Sequence, residues 1–174
     1  AGDNADTASR PIPASWFALD SSPKGEQLLS LPESGGTVVD AFLHLARTAP
    51  SRPFLADRSG VRSRRQILTG ALALSRRFRE LPDQRLGIML PSVPAAMAVW
   101  LAALLAGKEP VMLNWTVGVR NMAHCIAVAG VRRAVTSSAL LEQLSRTGNP
   151  VKDAAIEWIP AEKLAADLGL ADKL

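Results

Sequence analysis

The side chains best placed to do chemistry sit where short apolar runs end. Ser92 follows Leu86-Gly-Ile-Met-Leu90, while Asn114, Trp115 and Thr116 follow Val111-Met-Leu113. A third run, Arg132-Arg-Ala-Val-Thr136, closes on Thr136 and Ser137. Hydroxyls and amides at such points can hydrogen-bond a ligand, and an indole can wall a pocket. The same residue types also serve as turn and cap residues. Ser92, Asn114, Trp115 and Thr116 are read here as the edge of a cleft.

Other reactive side chains are less well placed. His44 lies off the apolar face of its helix and four residues after Asp40, which suits an exposed histidine beside a carboxylate better than a general base. His124 has the same spacing from Arg120 and is expected at the surface. Cys125 borders the apolar stripe Val119, Met122, Ile126 and Ala129, so a small buried hydrophobe is expected rather than a nucleophile. A lone cysteine excludes an intramolecular disulfide, and nothing has metal-ligand spacing. The sequence contains no G-x-G-x-x-G, no G-x-x-x-x-G-K-[ST] and no G-x-S-x-G. Val135-Thr-Ser-Ser138 has hydroxyls without the glycines or lysine of a phosphate loop. No catalytic residue and no metal ligand can be named.

The elements that position these residues are legible from the apolar periodicity. Arg85 to Asn114 reads as strand, helix, strand: a short run, a long one from Ala95 to Gly107 bounded by prolines, and a second short run. Strands apolar on both faces belong inside a parallel sheet covered by helices, so this is a βαβ unit with a right-handed crossover and a buried helix. Thr37 caps a helix to about Thr48, with Val39, Phe42, Leu43 and Ala46 on its apolar face. Pro53 to Asp57 is a short strand turned at Ser59-Gly60. Ser63 and Gln66 form a capping-box pattern for a helix to about Leu81. That helix buries Ile67, Ala71, Leu74, Phe78 and Leu81, with Arg64, Arg65, Arg76, Arg77 and Arg79 mostly off the stripe. A helix from Gly118 to Gly130 follows, then the strand at 132–136 and a helix capped by Ser137 or Ser138 through about Leu144. Ala155 to Ile159 is a last strand, and Pro160 takes the first position of a helix ending near Gly169.

This alternation predicts an α/β fold: an open, mostly parallel sheet with helices on both faces over residues 37–174. Residues 1–36, rich in Pro, Ser, Gly and Asp, read as an arm or linker in which Trp16-Phe17 and Leu28-Leu29-Ser-Leu31 can dock as apolar anchors. The hydrophobic content of 48% suffices for a packed core, and the longest apolar stretch is too short for a membrane span. The net charge of +4, without aromatic interleaving, argues against nucleic acid. The first residue is not Met and Ala171-Asp-Lys-Leu174 carries no stop signal, so a piece of a longer chain is expected.

Within this frame Arg85-Leu-Gly-Ile-Met-Leu-Pro-Ser92 and Leu105-Ala-Gly-Lys-Glu-Pro-Val-Met-Leu-Asn114 resemble segments of the adenylate-forming (AMP-binding) acyl-CoA synthetases. Thr37 to Pro53 and Ser63 to Leu81 resemble their upstream segments. Val111-Met-Leu-Asn-Trp-Thr-Val-Gly-Val-Arg-Asn121 and Ala129-Gly-Val-Arg-Arg-Ala-Val-Thr-Ser137 are most similar to the acyl-acyl carrier protein synthetase / 2-acylglycerophosphoethanolamine acyltransferase branch. The family has an aromatic where this chain has Arg64. The resemblance implies an N-terminal subdomain of a ligase that activates a fatty acid with ATP and Mg²⁺ and passes it to coenzyme A or an acyl carrier protein, with lysophospholipid acylation as a further outlet in the named branch. The family's phosphate loop and catalytic lysine lie downstream of its matched segments, so it implies inactivity of this piece alone. It also implies an apolar face that meets the rest of the synthetase or a second copy, and a cytoplasmic location that in the parent protein extends to the cytoplasmic face of the inner membrane. The competing reading is a free-standing α/β binding module. The arginine-rich helix raises a third, a basic module for anionic membranes.

Overall fold

The computed structural model describes residues 36–149, 151 and 155–167. The expected arm (save Gly36) and the helix end near Gly169 fall outside those residues.

Helix α1 (Val38–Thr48) begins at a full capping box. The Thr37 hydroxyl accepts the Asp40 N–H at 3.2 Å, and the Asp40 carboxylate accepts the Thr37 N–H and hydroxyl, each at 2.8 Å. Those bonds, the backbone one foremost, hold the Asp40 carboxyl below its ordinary value of 3.8. Strands β1 (Pro53–Asp57) and β2 (Gly60–Ser63) pair antiparallel as a separate hairpin. The Asp57 carboxylate ties its tip by accepting the Ser59 N–H and hydroxyl. The expected strand at 53–57 therefore does not join the main sheet.

Helix α2 (Arg64–Arg79) starts from the Ser63–Gln66 capping box and buries Ile67, Ala71, Leu74 and Phe78 as its stripe requires. Arg64 departs from expectation. It is only 7% exposed. Its guanidinium donates to the Leu45 carbonyl at 3.1 Å, near the end of α1, where a cation is favoured. That bond ties α1 to α2 at the position where the resembling family carries an aromatic.

Strands β3 (Arg85–Met89), β4 (Glu109–Met112), β5 (Arg133–Thr136) and β6 (Glu157–Pro160) form one parallel sheet in the order β4-β3-β5-β6. Pro160, expected to open the last helix, instead ends β6. It lacks an N–H, and an edge strand tolerates that. Helix α6 (Ala161–Asp167) begins one residue later.

Alternation along β3 divides the core. Leu86, Ile88 and Leu90 join the cluster formed by α1, α2 and α3 (Pro94–Leu105). Met89 joins the other, with residues of α4 (Val119–Ala129) and α5 (Ser138–Arg146). The predicted helices-on-both-faces architecture is thus the fold. No residue of α3 is fully exposed, consistent with its uniformly apolar sequence. On α4 only Met122 and Ile126 are buried. Val119, expected in the stripe, is 37% exposed, and Cys125, expected to be buried, is exposed. The helix rests on the sheet along a narrow line, so residues at the border of the stripe stay in solvent. Gly130 closes it in the left-handed region, φ 62°.

At the middle of β3, Gly87 leaves no room for a side chain. A Cβ there would lie 2.7 Å from the Ala134 Cβ, 3.0 Å from a Val131 methyl and 3.1 Å from a Leu113 methyl. Gly87→Ala is expected to cost about 1–3 kcal/mol of stability in urea unfolding. Adding Ala134→Gly should recover part of the loss, because the two sites are in contact. A neutral single variant would show that the strands can part without cost.

Candidate functional site

The two ends of the parallel sheet are built differently. At the amino end, the first residues of the four strands are Arg85, Glu109, Arg133 and Glu157. The Arg85 side chain bonds the Glu109 carboxylate at 3.0 Å and the Ala129 carbonyl at 2.9 Å. The Arg133 side chain spans the Glu157 carboxylate, at 2.6 Å, and that of Asp83. These bonds, led by the one to Glu157, raise the Arg133 guanidinium above its ordinary value. Each of these four strand-opening residues has a charged partner within the row, so the row reads as register control.

The carboxyl end is where an open α/β sheet leaves room for a ligand. The chain leaves β3 for α3 on one face and leaves β5 for α5 on the other, and β3 and β5 are neighbours. Their connections diverge between Leu90-Pro91-Ser92 and Thr136-Ser137, which is where sheets of this topology place a crevice. The Ser137 hydroxyl accepts the Leu140 N–H at 3.1 Å, and so is the cap of α5. The Ser138 N–H is taken by the Glu162 carboxylate of α6 at 3.1 Å. The start of α5 therefore already holds an anion supplied by the chain itself.

The four expected cleft residues do not all line one cavity among those described. Ser92 is exposed and lines a cavity of 430 Å³ with Leu55 and Ala56 of the hairpin, Met97 and Trp100 of α3, and Met112 of β4. Asn114, Trp115 and Thr116 are not among its lining residues. The Asn114 carboxamide oxygen accepts the Thr116 N–H at 3.0 Å and its hydroxyl at 2.8 Å, closing an Asx turn. That turn opens a short 3-10 helix, Trp115–Val117, which the sequence did not reveal. The Trp115 ring packs into the core on the far face, and its carbonyl accepts the Asn149 side-chain N–H at 3.0 Å. Of the four, Ser92 alone borders this cavity.

The cavity is an open, mostly apolar groove whose chief polar side chain is Ser92. It can take an apolar group beside Ser92 and the start of α3. Met97 and Trp100, three residues apart on α3, were readable as core but not as lining. Their role depends on the hairpin, which stands apart from the sheet. His44 and His124 are exposed, as expected, and neither lies near the groove lining. Among the described residues no group of three or more His, Cys, Asp or Glu could hold a metal ion, and no helix is long and apolar enough to cross a membrane.

The described residues at the crevice include one unsatisfied group. Thr136 is fully buried and its hydroxyl has no hydrogen-bond partner. Removing an unpaired buried hydroxyl at constant shape relieves a desolvation cost. Thr136→Val should therefore be neutral or stabilising by up to ~1 kcal/mol in thermal unfolding. A clear loss of stability would show that the hydroxyl has a partner.

A model of the family described as "AMP-binding enzyme" matches residues 42–171. The chain is 26% identical over 110 residues to long-chain fatty acid transport protein 2 of Rattus norvegicus, covering 61% of this chain and 18% of that protein. Its fold is similar to that of VinN in complex with 3-methylaspartate, with a TM-score of 0.67 and 21% identity over 79% of this chain and 38% of VinN. It is also similar to O-succinylbenzoate coenzyme A synthetase (MenE) of Bacillus subtilis in complex with AMP. There the TM-score is 0.60 and the identity 13%, over 72% of this chain and 32% of MenE. The chain thus spans less than two-fifths of each of these proteins.

Proposed function

The chain belongs to the AMP-binding enzyme family, and from that premise we propose that it is the N-terminal portion of an ATP-dependent acid–thiol ligase acting on fatty acids. In that reaction the substrate carboxylate attacks the α-phosphorus of ATP and releases pyrophosphate. A thiol then takes the acyl group and releases AMP. The observation that carries the reading is the family match over residues 42–171, laid on a parallel sheet of the adenylating-enzyme kind. The fatty-acid part is supported by the name of the rat relative and by the apolar groove beside Ser92.

The described residues do not present a site for ATP or Mg²⁺ by themselves. The sequence lacks a glycine-rich phosphate loop, and the described residues offer no acidic cluster. No chemical step is therefore assigned to a side chain of this chain, and the nucleotide site belongs to the remainder of the ligase. The chain's part is to supply the sheet and the groove. Coenzyme A or a carrier protein as acceptor, the acyl-carrier-protein synthetase branch, its link to lysophospholipid acylation and a cytoplasmic location at the membrane face extend the same proposal. They rest on Val111 to Asn121 and Ala129 to Ser137.

ATP–pyrophosphate exchange by the polypeptide of the complete gene is expected to depend on added fatty acid. Residues 37–174 alone should show none. Exchange with amino acids or aryl acids but not fatty acids would overturn the substrate assignment. Activity of 37–174 alone would overturn the division of labour.

Trp100, Leu104 and Leu105 remain half-buried along α3, beside a second opening bordered by Val38 and Val39. We propose that this face meets the rest of the synthetase, and that in its absence two copies pair through it. Light scattering should show a concentration-dependent dimer weakened by Leu104→Glu. A strictly monomeric chain at high concentration would exclude the pairing.

A further inference from the structure

Charge in this chain is segregated. Between Ala41 and Arg79 there are nine arginines and a single carboxylate, Asp57, although the whole chain carries only +4. The remainder is accordingly net negative. Within this stretch α2 contains no acidic residue at all.

The structure arranges part of that charge as a ridge. Arg65, Thr69, Leu72, Arg76 and Arg79 recur at i, i+4, i+7, i+11 and i+14, and all are exposed. They lie opposite the stripe of Ile67, Ala71, Leu74 and Phe78, which is buried against the core. From Arg65 to Arg79 the ridge runs about 21 Å in a straight line. Among the described residues, Arg65 and Arg76 form no ion pair, and Arg79 makes a single bond, to the Leu105 carbonyl at 3.1 Å. Arg65 sits in the first turn, where the helix dipole disfavours a cation and where no acidic residue offsets it. Helix stability does not account for that placement.

We infer that the exposed face of α2 docks on an anionic lipid surface. A flat array of phosphates matches a straight row of guanidiniums, which can each bond two phosphate oxygens. Leu72, exposed midway between Arg65 and Arg79, can enter the headgroup layer between them. The ridge has no aromatic to stack on bases, which disfavours nucleic acid. It has one large apolar residue where a protein partner would need a cluster. The inference does not depend on the proposed ligase activity, because vesicle binding is read without substrate or nucleotide.

The test is co-sedimentation of the purified chain with vesicles of phosphatidylcholine alone and of phosphatidylcholine with phosphatidylglycerol. Binding is expected only to the anionic vesicles, falling steeply as salt rises. Arg65→Gln/Arg76→Gln/Arg79→Gln should weaken it roughly a hundredfold, about fivefold per arginine. Arg120→Gln/Arg132→Gln, which removes exposed arginines elsewhere, should leave it within about twofold. Circular dichroism of each variant separates lost binding from lost fold, and Leu72→Gln gives a second, milder variant. No binding to anionic vesicles, binding that persists in high salt, or equal loss in both arginine variants would overturn the inference. Ridge-dependent retention of a DNA duplex without vesicle binding would also overturn it and assign the face to nucleic acid.

Discussion

The structure depends on the close approach of strands and loops around Gly87. β3 is bonded on both edges, to β4 and to β5, and covered on both faces. Its side chains alternate between two cores, and at Gly87 the absence of a Cβ lets Ala134, Val131 and Leu113 close over the backbone. The hydrogen-bond ladder sets how near β5 lies to β3, and the missing Cβ lets the neighbouring side chains pack at that spacing.

The two ends of the sheet divide stability from binding. At the amino end, Arg85 and Arg133 face Glu109 and Glu157 in register, and Asp83 completes the row. The outer pairs are largely exposed and screened by solvent, so they add little to stability. Their larger effect is to penalise a slipped register, since a slip of one residue would exchange the faces of every side chain. The carboxyl end has no such row. Its polar groups cap helices or close turns, and the groove beside Ser92 is left apolar.

Arg64 shows how a local rule yields to a tertiary one. By helical periodicity it sits at the edge of the polar face of α2, with the other arginines. Its guanidinium is nevertheless buried because the end of α1 presents the Leu45 carbonyl there. Of the other arginines of the helix, Arg77 pairs with Glu80, Arg79 bonds the Leu105 carbonyl, and all four are exposed. One helix therefore carries a structural arginine and an exposed basic ridge, and spacing does not separate them.

The apolar runs were sufficient to locate β3, α3 and β4, because strands buried on both faces admit little but apolar residues. Capping chemistry located α1, α2 and α4, because orphan N–H and C=O groups need particular partners at particular offsets. Thr37, Ser63 and Gly130 are legible for that reason. What the sequence could not reveal involves residues far apart along the chain. Strand order β4-β3-β5-β6 depends on which faces α3 and α4 take, and so does the position of the crevice. The hairpin left the sheet, Pro160 stayed in β6 and Cys125 stayed exposed through the packing of whole elements. Ser92 was parted from Asn114, Trp115 and Thr116 by one turn: the Asn114 side chain closed on Thr116 and sent Trp115 into the opposite core. Local hydrogen bonding and burial are written in neighbouring residues, whereas a groove is made by surfaces that meet only after folding.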